Sequence, residues 1–163
     1  MSSIVQHLLI RLDDLSDPRI EAFMQEHLTD MYAVSPPESV HALDMDRLRQ
    51  PDIAFWSAWL PGDGSGGVLA GTGALKRLDA RHAEVKSMRT RAHHRGQGIA
   101  RQMLAHLLQE ASARGFSRVS LETGTQPFFE PARQLYLKNG FVECGPFADY
   151  GPDPYSFFMT RTL

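Results

Sequence analysis

Arg95-Gly96-Gln97-Gly98-Ile99-Ala100 lies between a strand-like run, Ala83 to Thr90, and a periodic helix, Ile99 to Arg114. A strand that turns through glycines into a helix start leaves several backbone N–H groups unpaired and pointing the same way. The helix dipole adds positive potential there, so such a turn suits an anion. Gly96 and Gly98 allow the backbone to approach a ligand closely. Arg95 adds a fixed cation able to fork onto phosphate oxygens. No Lys-Ser/Thr ending follows, which argues against a P-loop. Arg101 stands where a dinucleotide fingerprint needs a third small residue. Taken alone, a G-x-G turn is as readily an ordinary strand-to-helix connection.

The rest of the composition bounds what that turn can serve. A chain of 163 residues with net charge −2 reads as a single soluble domain spanning residues 1–163, with no general field toward nucleic acid or anionic lipid. Basic residues gather only around the glycines, at Arg89, Arg91, Arg95 and Arg101 with His93 and His94. That patch fits one polyanionic small ligand better than a duplex. His93-His94 lack a third ligand at useful spacing, so no metal site is expected. One cysteine, Cys144, excludes an internal disulfide and suits a reducing cytoplasm. No apolar run approaches the ~20 residues of a membrane span, and the N-terminus lacks signal-peptide features.

Outward from the loop, the pattern reads as strand (Val5 to Leu12), helix (Asp17-Pro18 to about Tyr32) and a shorter helix (Ser39 to Arg49). Two strands follow, Ile53 to Leu60 and Val68 to Leu78, across the glycine-rich joint 61–67. After the central strand and helix come a strand at Val119 to Glu122 and a helix at Pro131 to Lys138. Strands at Phe141 to Gly145 and Ser156 to Thr162 close the order β-α-α-β-β-β-α-β-α-β-β. This predicts an α+β fold.

Two signatures now converge. Arg95-x-x-Gly98-x-Ala100 resembles the R/Q-x-x-G-x-G/A loop of the GCN5-related N-acetyltransferases (GNAT), which wraps the pyrophosphate of acetyl-CoA. Leu135-Tyr136-Leu137-Lys138-Asn139-Gly140-Phe141 is similar to the family's L-Y-x-K-x-G-F segment, about forty residues on as its topology requires. The resemblance covers residues 68 to 163 well. The first sixty match in element order only, as that family's substrate-binding part does. It implies a mixed, mostly antiparallel seven-stranded sheet flanked by about four helices, with acetyl-CoA lying where two parallel strands splay apart.

The same resemblance implies roles. Residues Arg95 to Ala100, including Gln97 and Ile99, would hold the diphosphate, with Arg89 in the basic patch beside them. Met88 and Thr90 would offer backbone groups to the pantetheine arm and acetyl carbonyl, and Thr123 is a further contact. Tyr136 would protonate the leaving thiolate: a phenol near pKa ~10 can donate to a thiolate near ~8.5. By the period of two, Glu84, Lys86 and Met88 share one strand face, with Glu84 ~13 Å behind Met88. Glu84 is then a base acting through water, or else half of a solvated ion pair with Lys86. Lys86 could alternatively bind an acceptor carboxylate.

The long loop Phe147 to Tyr155 reads either as a lid whose Asp149 and Tyr150 face the acceptor or as a passive hairpin tip. The implied activity is transfer of acetyl from acetyl-CoA to a primary amine of a small or amino-acid-like acceptor. Acetylation of a protein N-terminus or lysine, and a non-catalytic acyl-CoA sensor, are the alternatives. Edge strands and exposed aromatics would give a homodimer a place to form.

Overall fold

The computed structural model describes residues 7–62 and 67–163. Helix α1 (Pro18–Val34) begins where the sequence placed it. The Asp17 carboxylate accepts the Arg19 N–H at 2.9 Å and Pro18 occupies the first turn. Its apolar stripe buries Ile20, Phe23 and Met24. The helix stops as Ser35, ahead of Pro36, takes an extended conformation.

Seven strands form one sheet: β1 (Leu9–Leu12), β2 (Ile53–Leu60), β3 (Val68–Arg77), β4 (His82–Thr90), β5 (Arg118–Gly124), β6 (Val142–Glu143) and β7 (Ser156–Thr162). Their order is β1-β2-β3-β4-β5-β7-β6, and only β4 and β5 pair in parallel. Helices α3 (Ile99–Ala113) and α4 (Glu130–Lys138) cover one face. There Met103, Leu104, Leu107 and Tyr136 pack on Trp56, Leu75, Val85 and Leu121. Helix α1 and the single-turn α2 (Met45–Leu48) cover the other, against Phe55, Trp59 and Ala74.

The parallel pairing is short. His82 to Glu84 lie against Arg118 to Ser120, and β4 then runs on to Thr90 with no partner on that side. β5 meanwhile follows β7 as far as Gly124 and Ser156. The two central strands therefore part, and this gap is the feature the fold supplies to the site.

A β-bulge aims what lines that gap. Thr72 faces Arg89 and Ala74 faces Lys86, so Ser87 and Met88 together oppose Gly73. Ser87 takes a left-handed φ of 56°, and the Thr72 hydroxyl donates to its carbonyl at 2.8 Å. The extra residue breaks the period of two. Glu84, Lys86 and Arg89 share the α1 face, whereas Met88 turns to the α3 side and packs on that core. The expected face Glu84, Lys86, Met88 is corrected accordingly.

The helix expected over Ser39 to Arg49 is also corrected. Pro37–Ser39 form a 3-10 turn and residues 40–44 run irregularly before α2. Asp44, whose carboxylate accepts the Arg47 N–H, sets the late start. Tertiary bonds hold the intervening segment open: Ser39 Oγ donates to Asp153 at 2.7 Å and Lys86 Nζ to the His41 carbonyl at 3.1 Å. β6 is shorter than its predicted run. In the first predicted strand Val5 and Gln6, and in the glycine-rich joint residues 63–66, fall outside the described residues.

Candidate active site

A cavity of about 640 Å³ opens where β4 and β5 part. Its wall combines residues from both faces of the sheet: His27 and Met31 of α1 on one side, Leu121 and Tyr136 on the other. The cavity thus draws its wall from both faces of the sheet.

One end is the glycine loop. Gly96 and Gly98 are both left-handed, with φ of 79° and 80°, which glycine adopts without strain. Gly98 caps α3, and the first intrahelical bond, from the Gln102 N–H to the Gly98 carbonyl, leaves the amides ahead of it without a helical acceptor. Arg95, Gly96 and Gly98 line the cavity, as do Ile99, Ala100 and Arg101 at the helix start. His94 joins them with its Nε2 unpartnered, and burial lowers its imidazole below the ordinary range. The Arg95 and Arg101 cations, the unpartnered His94 Nε2 and a fan of amides without helical acceptors suit a diphosphate. Gln97 departs from expectation: flanked by the two left-handed glycines, it is carried off the wall.

β4 supplies Lys86, Met88, Arg89 and Thr90 to the wall, β5 supplies Thr123, and α4 supplies Tyr136. Tyr136 is 6% exposed and meets Phe141 edge-on at 5.6 Å. Burial raises its phenol above the ordinary value, so it stays protonated.

Glu84 is not in the wall. It is 2% exposed, and its Oε2 accepts from Tyr150 Oη at 2.6 Å and from Lys86 Nζ at 3.3 Å. The solvated pair considered from sequence is therefore buried. Lys86 spends its three donors on Glu84, Tyr150 Oη and the His41 carbonyl. Tyr150 closes over the Glu84–Lys86 pair: burial and the Glu84 charge raise its phenol, and its ring abuts His41 and Phe147. Tyr150 so contacts Lys86 without lining the cavity. Asp149 is exposed at the loop tip, away from the wall, which corrects its expected place at the acceptor. From that loop, Tyr155 is the residue that reaches the cavity.

The carboxyl that does line the cavity is Glu122, which no spacing rule singled out. On β5 it alternates with Leu121 and so faces the α1 side. Burial raises its carboxyl to about 7, against the lowering influence of the Ser156 hydroxyl and Lys86. It is the one acidic residue in the wall among the described residues. Its signal was available only as an acidic residue closing the short strand run Val119-Ser120-Leu121.

Comparison with known proteins shows the family. The model of the acetyltransferase (GNAT) family matches residues 20–141. The chain belongs to that family. It is 54% identical to Bacillus subtilis YsnE, described as an uncharacterized N-acetyltransferase, over 94% of this chain and 99% of that one. It is 39% identical to an IAA acetyltransferase of Azospirillum brasilense, over 86% of each chain. A Klebsiella pneumoniae structure described as an acyl-CoA N-acyltransferase superposes with a TM-score of 0.77 at 25% identity, covering 96% of this chain and 98% of that one. This GNAT protein is an N-acetyltransferase with acetyl-CoA as cosubstrate. Among the described residues no cluster of His, Cys, Asp and Glu could hold a metal ion, and no helix is long and apolar enough to cross a membrane.

Proposed function

We propose that the protein acetylates the amine of a small acceptor by direct attack within a ternary complex, with Glu122 as base and Tyr136 as proton donor. The observation that carries this reading is that both groups line one cavity, from opposite faces of the parted strands. The free amides of Gly98 to Arg101, with Arg95, would bind the diphosphate and so direct the thioester into the gap.

An acceptor enters beside α1 as an ammonium. Glu122, with its carboxyl near 7, takes one proton and frees the nitrogen lone pair. The nitrogen–carbon bond forms as the carbon–sulfur bond breaks. Tyr136 donates a hydrogen bond to the departing sulfur. The second proton shed by the new amide nitrogen balances the one the thiolate takes. Tyr136 so relays a proton without remaining ionised in a buried site.

A cavity of this size fits the range of small-molecule sites, and Tyr155, Phe128 and the 40–42 segment border it. The relative named for IAA supports a small acceptor. Residues 1–163 are read here as one acyltransferase unit. The test is a screen of amines and amino acids with acetyl-CoA, reading free thiol. Saturable release with at least one acceptor is expected. Acetyl-CoA binding with no release for any amine would establish a sensor instead.

A further inference from the structure

Two residues that line the cavity beside α1 each carry a buried polar atom that no protein group satisfies: Arg89 Nε and His27 Nδ1. Buried side-chain donors are nearly always paired, and leaving one orphaned is costly. Both residues line the same cavity, the Arg89 side chain 11% exposed and His27 8% exposed. They meet on one face of α1: Arg89 pairs with Asp30, three residues after His27 on that helix. Burial, and then the Arg89 charge, holds the His27 imidazole down to about 4. His27 is therefore neutral, and its Nδ1–H tautomer can donate. We propose that these two atoms form a carboxylate subsite, and that the acceptor is an α-amino acid with an apolar side chain.

The arrangement around Arg89 leaves this edge free by construction. Its Nη1 donates to Asp30 at 2.9 Å and its Nη2 lies 3.6 Å from Glu26, while its guanidinium carbon stands 5.3 Å from the centre of the Phe23 ring. Asp30 and Glu26 are 43% and 60% exposed and lie outside the cavity wall, so water screens their compensation of Arg89. Lys86, the other cation here, has no donor left to offer. The same cavity carries apolar side chains, Met31, Val40, Phe128 and Tyr155, able to meet a side chain. Glu122 remains for the amine. A carboxylate, an amine and an apolar group are the three parts of such an acceptor.

This inference rests on the acetyl-transfer reading for the amine, but a binding measurement tests it separately. Protein loaded with coenzyme A would be titrated calorimetrically with N-acetyl-phenylalanine and with N-acetyl-phenethylamine, which differ by the carboxylate; the N-acetyl-leucine and N-acetyl-isoamylamine pair repeats the comparison. The acid is expected to bind about 100-fold tighter than its decarboxylated partner, as two charge-assisted bonds would give. Arg89→Gln and His27→Phe, each first shown to unfold cooperatively, should shrink that ratio to about tenfold or less. Equal or tighter binding of the decarboxylated partner overturns the subsite, as does no acid binding in either pair or an unchanged ratio in the folded variants. Absence of thiol release with a preserved ratio would instead count against acetyl transfer alone.

Discussion

Glu122 is the residue on which the chemistry turns, and its environment makes two separable predictions. A base must be deprotonated to act, so kcat/KM should rise with pH through about 7 and level off above it. Glu122→Gln should lower kcat by about 10²-fold or more and abolish that limb, read by initial rates from pH 5.5 to 9. A retained limb would assign it to another group. Stability carries the opposite sign. The folded carboxyl sits above its unfolded value of 4.5, so the fold binds the extra proton and loses stability as pH rises from 4.5 to 7. Glu122→Gln should therefore stabilise the protein at pH 8, by at most about 3 kcal/mol at 1.36 kcal/mol per pKa unit, and make no difference near pH 4. Tyr136→Phe should cut turnover about 10²-fold while acetyl-CoA affinity stays within about threefold, because the phenol acts on the departing sulfur. Undiminished thiol release by that variant would remove Tyr136 from the chemistry.

At the scale of elements, the bulge in β4 decides which side chains meet the acceptor. Ser87 holds a left-handed conformation that costs a non-glycine residue about 1–3 kcal/mol. Ser87→Gly should leave stability unchanged or raise it, and Ser87→Val should lower it by about 1–3 kcal/mol, measured by urea unfolding. Equal effects would mean that packing, and not backbone strain, governs the position. This same bulge marks where sequence reading stopped. The Arg95 to Ala100 loop was legible because its amides and glycines act through local backbone geometry, and the observed left-handed Gly96 and Gly98 are what such a turn requires. The succession of strands and helices along the chain, the Asp17 cap and the ends of β2 and β7 were legible from period and turn chemistry. Alternation, however, assumes an uninterrupted ladder, and nothing in Lys86-Ser87-Met88-Arg89 announces an inserted residue. Arg89 was thus placed with the diphosphate while its side chain in fact faces α1. Residues 39–44 misled for a related reason: the 3-10 turn ending at Ser39 and the irregular course after it are held by Asp153 and Lys86, partners 45 or more positions away. Glu122 was missed because its character comes from burial between elements distant in the chain.

In the molecule as a whole, the sheet is two halves joined by three residues of parallel pairing, and the cavity occupies the rest of the seam. A cosubstrate lodged there would bridge β4, α3, β5 and α4, so its binding should stabilise the whole fold. At a hundredfold excess over Kd the gain is about 2.7 kcal/mol. For a chain of this size that corresponds to a rise in Tm of about 5–10 °C, followed by scanning fluorimetry against acetyl-CoA concentration. Acetyl transfer here depends above all on the amides at the start of α3 holding a diphosphate. The direct measurement is calorimetric titration of the purified protein and of Gly98→Glu with coenzyme A. One site per chain, weakened about 100-fold or more by a carboxylate set among those amides, is the expected result. No heat of binding to the unaltered protein, or identical binding by the variant, would contradict it.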